Sequence, residues 1–213
     1  MKILSHRGYW KSDNEKNTRI AFERSFLLGF GTETDIRDLN GELVISHDPP
    51  VSERNYVTAI DFFKLYKSLG DGLQLALNIK SDGLQEKLMK LINEYNITNY
   101  FVFDMSIPDT LGYLKNDTKI FTRQSEYEID PAFYSQADGV WMDEFNQNWI
   151  EEKNIQNHIS NGKKVCIVSP ELHKRDFKIE WNKYKSIFLV DAANKISICT
   201  DLPEKAKQYF YEN

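Results

Sequence analysis

Short apolar runs recur along the chain, separated by stretches in which apolar residues return every three or four positions. The runs at residues 3–6, 32–38, 75–79, 100–104, 119–122, 139–143, 165–169 and 196–201 read as strands. Between them, Leu84, Leu88, Leu91, Ile92 and Tyr95 fall on one helical face, and Phe22, Phe26 and Phe30 form a similar stripe. The pattern around Trp149, Ile150 and Ile155 predicts a helix that stops at Asn161-Gly162, and a further helix is expected near residues 60–69. Asn40-Gly41 is the signature of a two-residue hairpin turn, which folds residues 42–46 back beside the second strand and returns His47 to that strand's neighbourhood. Residues 11–16 are too polar for a packed element and read as a solvated loop.

Eight strands with mostly helical connections, and no Gly/Ser/Pro linker, fit a single domain over residues 1–213 built as a closed parallel (β/α)₈ barrel. An open doubly wound sheet is the alternative. It is disfavoured because Gly8 stands alone after the first strand, where the phosphate-binding fingerprint of that fold needs three glycines.

Composition narrows the classes. With 41% hydrophobic and 28% charged residues, neither disorder nor a membrane-spanning class is attractive, and no apolar run approaches the ~20 residues that cross a bilayer. A net charge of −5 without a basic tract argues against a nucleic-acid partner, which would need clustered Lys and Arg. Cys166 and Cys199 lie inside apolar runs and read as small buried hydrophobes, which points weakly to a reducing compartment. The first residues carry no signal-peptide pattern, so a cytoplasmic location is expected.

In a barrel the C-terminal ends of the strands converge, and the chemistry-bearing residues fall there. His6 ends strand one, Glu33 and Asp35 share a facing on the second, Asn78 and Lys80 share one on the next, and Asp104 and Asp143 end later strands. Two buried carboxylates side by side repel and lose hydration at a cost of several kcal/mol unless a cation or protons intervene. Taken alone the pair favours a structural network with Arg7, Arg37 or Lys80; the nearby histidines turn the reading toward a metal. Oxygen donors, with no Cys and no His-x-x-x-His pattern nearby, select a hard ion, Mg²⁺ or Ca²⁺.

His6-Arg7-Gly8, Asn17-Thr18 followed by Ala21, Glu33-Thr34-Asp35, His47-Asp48, Asn78-Ile79-Lys80 and Thr200-Asp201-x-Pro203 occur in the order that the glycerophosphodiester phosphodiesterase family uses, and the chain resembles that family almost end to end. The family belongs to the wider group of phosphatidylinositol phospholipase C-like barrels. The resemblance implies His6 and His47 as the acid-base pair, Glu33 and Asp35 as metal ligands, and Arg7 and Lys80 as phosphate contacts. It implies a metal-dependent phosphodiester hydrolase that releases an alcohol and a phosphomonoester from a small-molecule substrate.

Two departures stand out. Asn78 replaces the glutamate that usually supplies the third metal ligand; an amide oxygen can ligate Mg²⁺ or Ca²⁺, but the site loses a negative charge and should hold metal more weakly. Glu171 is a candidate to compensate, although a solvated loop carboxylate is the default for it. Between His47 and Asn78 there is room for little beyond one helix, so the inserted subdomain common in the family is missing and the site should be more open.

Other polar residues take plainer readings. His158 is expected to be solvated or to cap a helix C-terminus, and His173 follows Glu171 near the barrel mouth. Trp141 and Phe145 read as packing; Asp104, Arg123 and Asp143 line the pocket or pair structurally; Asp48 orients His47 or caps a turn. The rival to an enzyme is a non-catalytic or weakly active barrel that binds a phosphate ligand, with Asn78 marking the loss of catalytic metal. A sugar-processing barrel using paired carboxylates would have no purpose for His6-Arg7.

Overall fold

The computed structural model describes residues 1–189 and 195–211. By their internal packing these form two compact units, Ser5–Ile120 and a second made of Met1–Leu4 with Phe121–Asn213.

The chain opens with strand β1 (Lys2–His6), whose last two residues belong to the first unit. There follow α1 (Arg19–Leu27), β2 (Gly31–Leu39), β3 (Glu42–Ile45), α2 (Ala59–Leu69), β4 (Leu75–Ile79), α3 (Gln85–Glu94), β5 (Tyr100–Phe103) and α4 (Ile107–Lys115). β2 pairs in parallel with β4, and β4 with β5. The hairpin at Asn40-Gly41 forms as expected, with both residues in the left-handed region and β3 antiparallel to β2. Between β3 and β4 the only helix is α2, so no inserted subdomain is present. Thr58 starts α2 by accepting the Asp61 N–H at 3.0 Å, and Ser106 does the same for α4 at Asp109. Buried aromatic rings join the first two helices: Phe22 lies 4.7 Å from Phe62 and Phe26 5.7 Å from Tyr66, centroid to centroid.

The second unit carries β6 (Phe121–Gln124), β7 (Gly139–Met142), α5 (Glu152–Ser160), β8 (Lys164–Val168), α6 (Lys178–Leu189), β9 (Ile196–Thr200) and α7 (Pro203–Tyr211). Its four strands are parallel in sequence order. Cys166 and Cys199 are buried.

Across the sheet the order is β5-β4-β2-β1-β9-β8-β7-β6, with β3 off β2 and a parallel bridge from Val102 of β5 to Ile120, just ahead of β6. Each parallel strand is followed by its neighbour in the circular order of a (β/α)₈ barrel, which is the fold of this chain. Strands buried on both faces account for the continuous apolar runs: every residue of β4, β5, β7 and β9 is buried. No helix among the described residues is long and apolar enough to cross a membrane.

Four details differ from the sequence expectation. The helix expected to carry Trp149 and Ile150 begins only at Glu152, because the loop before it is tied down: Trp149 Nε1 donates to the Asp143 carbonyl and Ile150 N–H to Glu144, and Glu151 N–H is capped by Asn154. The link between β6 and β7 holds no α-helix. Residues 11–16 are not wholly irregular, since Asp13–Glu15 make one 3₁₀ turn. His158 is buried rather than solvated, with Nδ1 against the Tyr134 hydroxyl at 2.9 Å and Nε2 against Gln124 Oε1 at 2.8 Å, and burial lowers its pKa.

Candidate active site

The site is assembled at the C-terminal end of β1 by a turn in the left-handed region of the backbone. Arg7 and Gly8 both take positive φ, 56° and 77°, and a Cβ on Gly8 would meet the Ala21 side chain at 2.8 Å and its backbone at 2.9 Å. The turn is held from three sides. Gly8 N–H donates to Thr32 Oγ1 at 3.0 Å, Arg7 N–H to Glu33 Oε2 at 3.2 Å, and the Arg7 carbonyl accepts from Asn17 N–H at 2.9 Å. His6 and Arg7 are thereby fixed against the middle of β2.

Glu33 and Asp35 lie two residues apart on β2 and are 2% and 0% exposed. The parallel register sets Asn78 of β4 beside Asp35. Around these three stand two cations and an imidazole: Arg7 Nε is 3.2 Å from Asp35 Oδ2, Lys80 Nζ is 3.6 Å from Asp35 Oδ1 and 3.8 Å from Asp104 Oδ2, and His6 Nε2 is 4.0 Å from Glu33 Oε2. His6, Arg7, Glu33, Asp35, Asn78 and Lys80 thus form one cluster within the first unit.

His47 is carried by the loop that follows β3. Its ring is 44% exposed on the loop beyond β3, with Nδ1 2.8 Å from Asp48 Oδ1; hydrogen bonding to His47 lowers the Asp48 pKa. Its carbonyl accepts from Arg37 Nε at 3.0 Å, and the Ser46 N–H donates to the Asp35 carbonyl, so the loop is anchored to β2 by its backbone.

The electrostatics of the core are unbalanced. Burial, followed by the charge of Asp35, pushes the Glu33 pKa up to about 7. Asp35 Oδ1 and Asn78 Oδ1 are buried with no hydrogen-bond donor. Oxygens that lack a hydrogen-bond donor, on neighbouring strands beside a desolvated carboxylate, are a donor set that a hard divalent cation satisfies. No group of three or more His, Cys, Asp or Glu side chains among the described residues is arranged to hold a metal, so a three-donor site here depends on the Asn78 amide.

Asn17 is a site residue that sequence reasoning quoted in a motif but left without a role. Its Nδ2 donates to Asp35 Oδ2 at 2.7 Å while its Oδ1 accepts from Thr34 Oγ1 at 2.9 Å, locking the carboxylate's orientation. Asp104, in the left-handed region just past β5, takes the pairing role through Lys80.

In the second unit Glu171 is not a solvated loop carboxylate. It is largely buried, accepts from Ser169, Thr200 and the Asp201 N–H, and burial raises its pKa. These bonds tie the turn after β8 to the end of β9 and occupy both its oxygens. His173 Nε2 pairs with Asp143 Oδ1 at 2.6 Å and its ring lies 4.8 Å from Phe145; Arg123 pairs with Glu128.

No family model and no curated protein matches the sequence. Solved structures do match over nearly the whole chain. A protein from Galdieria sulphuraria assigned as a glycerophosphodiester phosphodiesterase superposes with a TM-score of 0.78 at 19% identity, covering 100% of this chain and 98% of that one. A phosphodiesterase of Oleispira antarctica, solved with its product sn-glycerol-3-phosphate, gives 0.71 at 14% identity over 98% and 96% of the two chains. A Ca²⁺-dependent phosphatidylinositol-specific phospholipase C from Streptomyces antibioticus gives 0.57 at 11% identity over 97% and 95%. At such identities the likeness establishes the fold.

Proposed function

We propose that this chain is a divalent-metal-dependent phosphodiester hydrolase acting on small glycerophosphodiester-like molecules, from which it releases an alcohol and a phosphomonoester. The observation that carries the reading is the buried set Glu33, Asp35 and Asn78, in which Asp35 Oδ1 and Asn78 Oδ1 lack a hydrogen-bond donor, ringed by His6, Arg7 and Lys80. The fold shared with phosphodiesterases, one of them bound to sn-glycerol-3-phosphate, supports it.

Hydrolysing a phosphodiester requires taking a proton from the attacking hydroxyl, giving one to the leaving alkoxide and neutralising charge on the phosphoryl oxygens. Glu33, Asp35 and Asn78 would hold Mg²⁺ or Ca²⁺, which when bound supplies Lewis-acid neutralisation of the phosphoryl oxygens. Arg7 and Lys80 are already drawn to Asp35 and present their remaining N–H donors to the phosphate. His6, steadied by the nearby Glu33 carboxylate, is one proton-transfer group. His47 is the other: Asp48 accepts its Nδ1–H and leaves the Nε2 lone pair for the reaction. Asn17 keeps Asp35 turned toward the site.

The test is alcohol release from a panel of glycerophosphodiesters by the purified protein, with and without Mg²⁺ or Ca²⁺. Turnover that excess chelator abolishes and either ion restores is expected; an undiminished rate in chelator rejects the metal. A second reading, a barrel that binds a phosphate ligand without turnover, draws on the amide at position 78, where the site has one carboxylate fewer. Phosphate binding with no alcohol released from any ester would select it.

A further inference from the structure

A cavity of about 650 Å³ is lined by the start of α3 and by α4, both within the first unit, and shares no lining residue with the cluster that runs from His6 to Lys80. Asp109, in the first turn of α4, lies on its lining and is only 7% exposed. One of its oxygens is engaged twice: Oδ1 accepts from the Gly83 N–H at 2.9 Å and from Gln85 Nε2. The other, Oδ2, is buried, and no donor among the described residues reaches it. No cationic side chain among those residues pairs with Asp109. A buried charge without a counter-charge is costly, and a bound cation removes that cost.

The surroundings set the kind of cation. Asp82 is tied to the same turn, since its Oδ2 accepts from Ser106 Oγ at 3.0 Å and that oxygen accepts the Asp109 N–H at 3.3 Å. Tyr113, one turn further along α4, is 0% exposed, and its hydroxyl also lacks a hydrogen-bond partner among the described residues; burial, then the charges of Asp109 and Asp82, raise its pKa. On the lining Asp82, Glu86 and Asp109 outnumber Lys115, and Leu111 and Gly112 supply an apolar wall. A guanidinium binds best to a pair of oxygens, whereas Asp109 leaves one; a quaternary ammonium has no N–H to give it. A hard metal ion is disfavoured, because no group of three or more His, Cys, Asp or Glu side chains among the described residues is arranged to hold one. A primary ammonium on an alkyl stem fits: it brings a full charge, a strong N–H donor and a chain that lies along the wall. Gln85 now makes the neutral version of that contact. Its Nε2 also donates to the Asp109 carbonyl at 3.2 Å and rests on Gly112, where a Cβ would meet it at 2.9 Å.

We propose that this cavity binds a small linear polyamine, one primary ammonium displacing the Gln85 amide to pair with Asp109 and the next ammonium groups lying toward Asp82 and Glu86. The site is independent of the phosphodiesterase reading and stands whether or not the barrel turns over an ester.

Calorimetric titration of the full chain with spermidine at low ionic strength tests it. Binding should saturate at one spermidine per chain in the parent and weaken by about ten- to hundred-fold in Asp109→Asn, the worth of a hydrogen bond to a charged group. Gln85→Lys sets an ammonium beside Asp109 from within the chain, and should raise Tm and abolish spermidine binding. Tetramethylammonium, which has the charge but no N–H, should bind at least tenfold more weakly than spermidine. Equal spermidine affinity in the parent and both variants would mark diffuse attraction to an acidic chain and overturn the proposal, as would tetramethylammonium bound as tightly as spermidine or a parent that shows no saturable binding. Should Asp109→Asn fail to fold, Gln85→Lys decides alone, and undiminished spermidine binding in it rejects the site.

Discussion

Replacing Glu33 by Gln removes a charge that the fold holds at a loss. The side chain is 2% exposed and its pKa rises from 4.5 to about 7, first through burial and then through Asp35. A folded-state pKa above the unfolded one means that the carboxyl's contribution is fully present below pH 4.5 and is lost as pH rises through about 7. The gap of some 2.5 pH units, at about 1.4 kcal/mol each, makes the ionised carboxylate about 3 kcal/mol costlier in the folded chain at pH 8.5. Gln keeps the shape and can still accept the Arg7 N–H, so in chelator Glu33→Gln should unfold about 6–12 °C above the parent at pH 8.5 and close to it at pH 4.5. Thermal unfolding followed by circular dichroism across that range reads the difference. Adding Mg²⁺ or Ca²⁺ at pH 8.5 should raise the parent's Tm and leave the variant's nearly unchanged. A gap of constant size at every pH would refute the desolvation argument, and so would a parent more stable than the variant in chelator at pH 8.5.

Three further outcomes are expected. His6→Ala and His47→Ala should each lower kcat by ~10²- to 10⁴-fold, the worth of a positioned acid or base, with the circular dichroism spectrum retained; activity within twofold of the parent removes that histidine from the chemistry. Asn78→Glu restores a third carboxylate and should tighten Mg²⁺ or Ca²⁺ binding by calorimetry, and no gain would take position 78 out of the ligand set. For His158, whose lowered pKa favours the neutral ring, the stabilising contribution is present above its ordinary value of 6.5 and is lost as pH falls below it, so His158→Gln should flatten the decline of urea stability with falling pH. Parallel curves for parent and variant would contradict that.

What could be read from the sequence was what depends on local pattern. β4 at residues 75–79 was legible because all five of its residues are buried, leaving a bounded apolar run. The strand read at 119–122 instead occupies Phe121–Gln124, since Arg123 and Gln124 join the ladder through their backbones while their side chains find Glu128 and His158, which hydropathy does not register. Glu33 and Asp35 were legible as a pair from the two-residue period, whereas Asn78 entered as a ligand only through the family resemblance. Asn17 did not yield its role, because a side chain bridging Thr34 and Asp35 is set by a turn at positive φ that composition does not reveal. Glu171 and His158 were misjudged for a common reason: whether a polar side chain ends up buried depends on partners remote in sequence, Thr200 for one and Gln124 for the other.

The tight approach of Gly8 to Ala21 also bears on how variants of this protein should be sorted. The groups proposed for the chemistry, His6 and Arg7, and a folding constraint at Gly8 share three consecutive codons, so a scan scored by product formation alone would give residues 6, 7 and 8 one undifferentiated minimum. Scored by soluble yield as well, Gly8 should drop out on both axes while His6 drops out on one, and that divergence separates architecture from chemistry within a single turn.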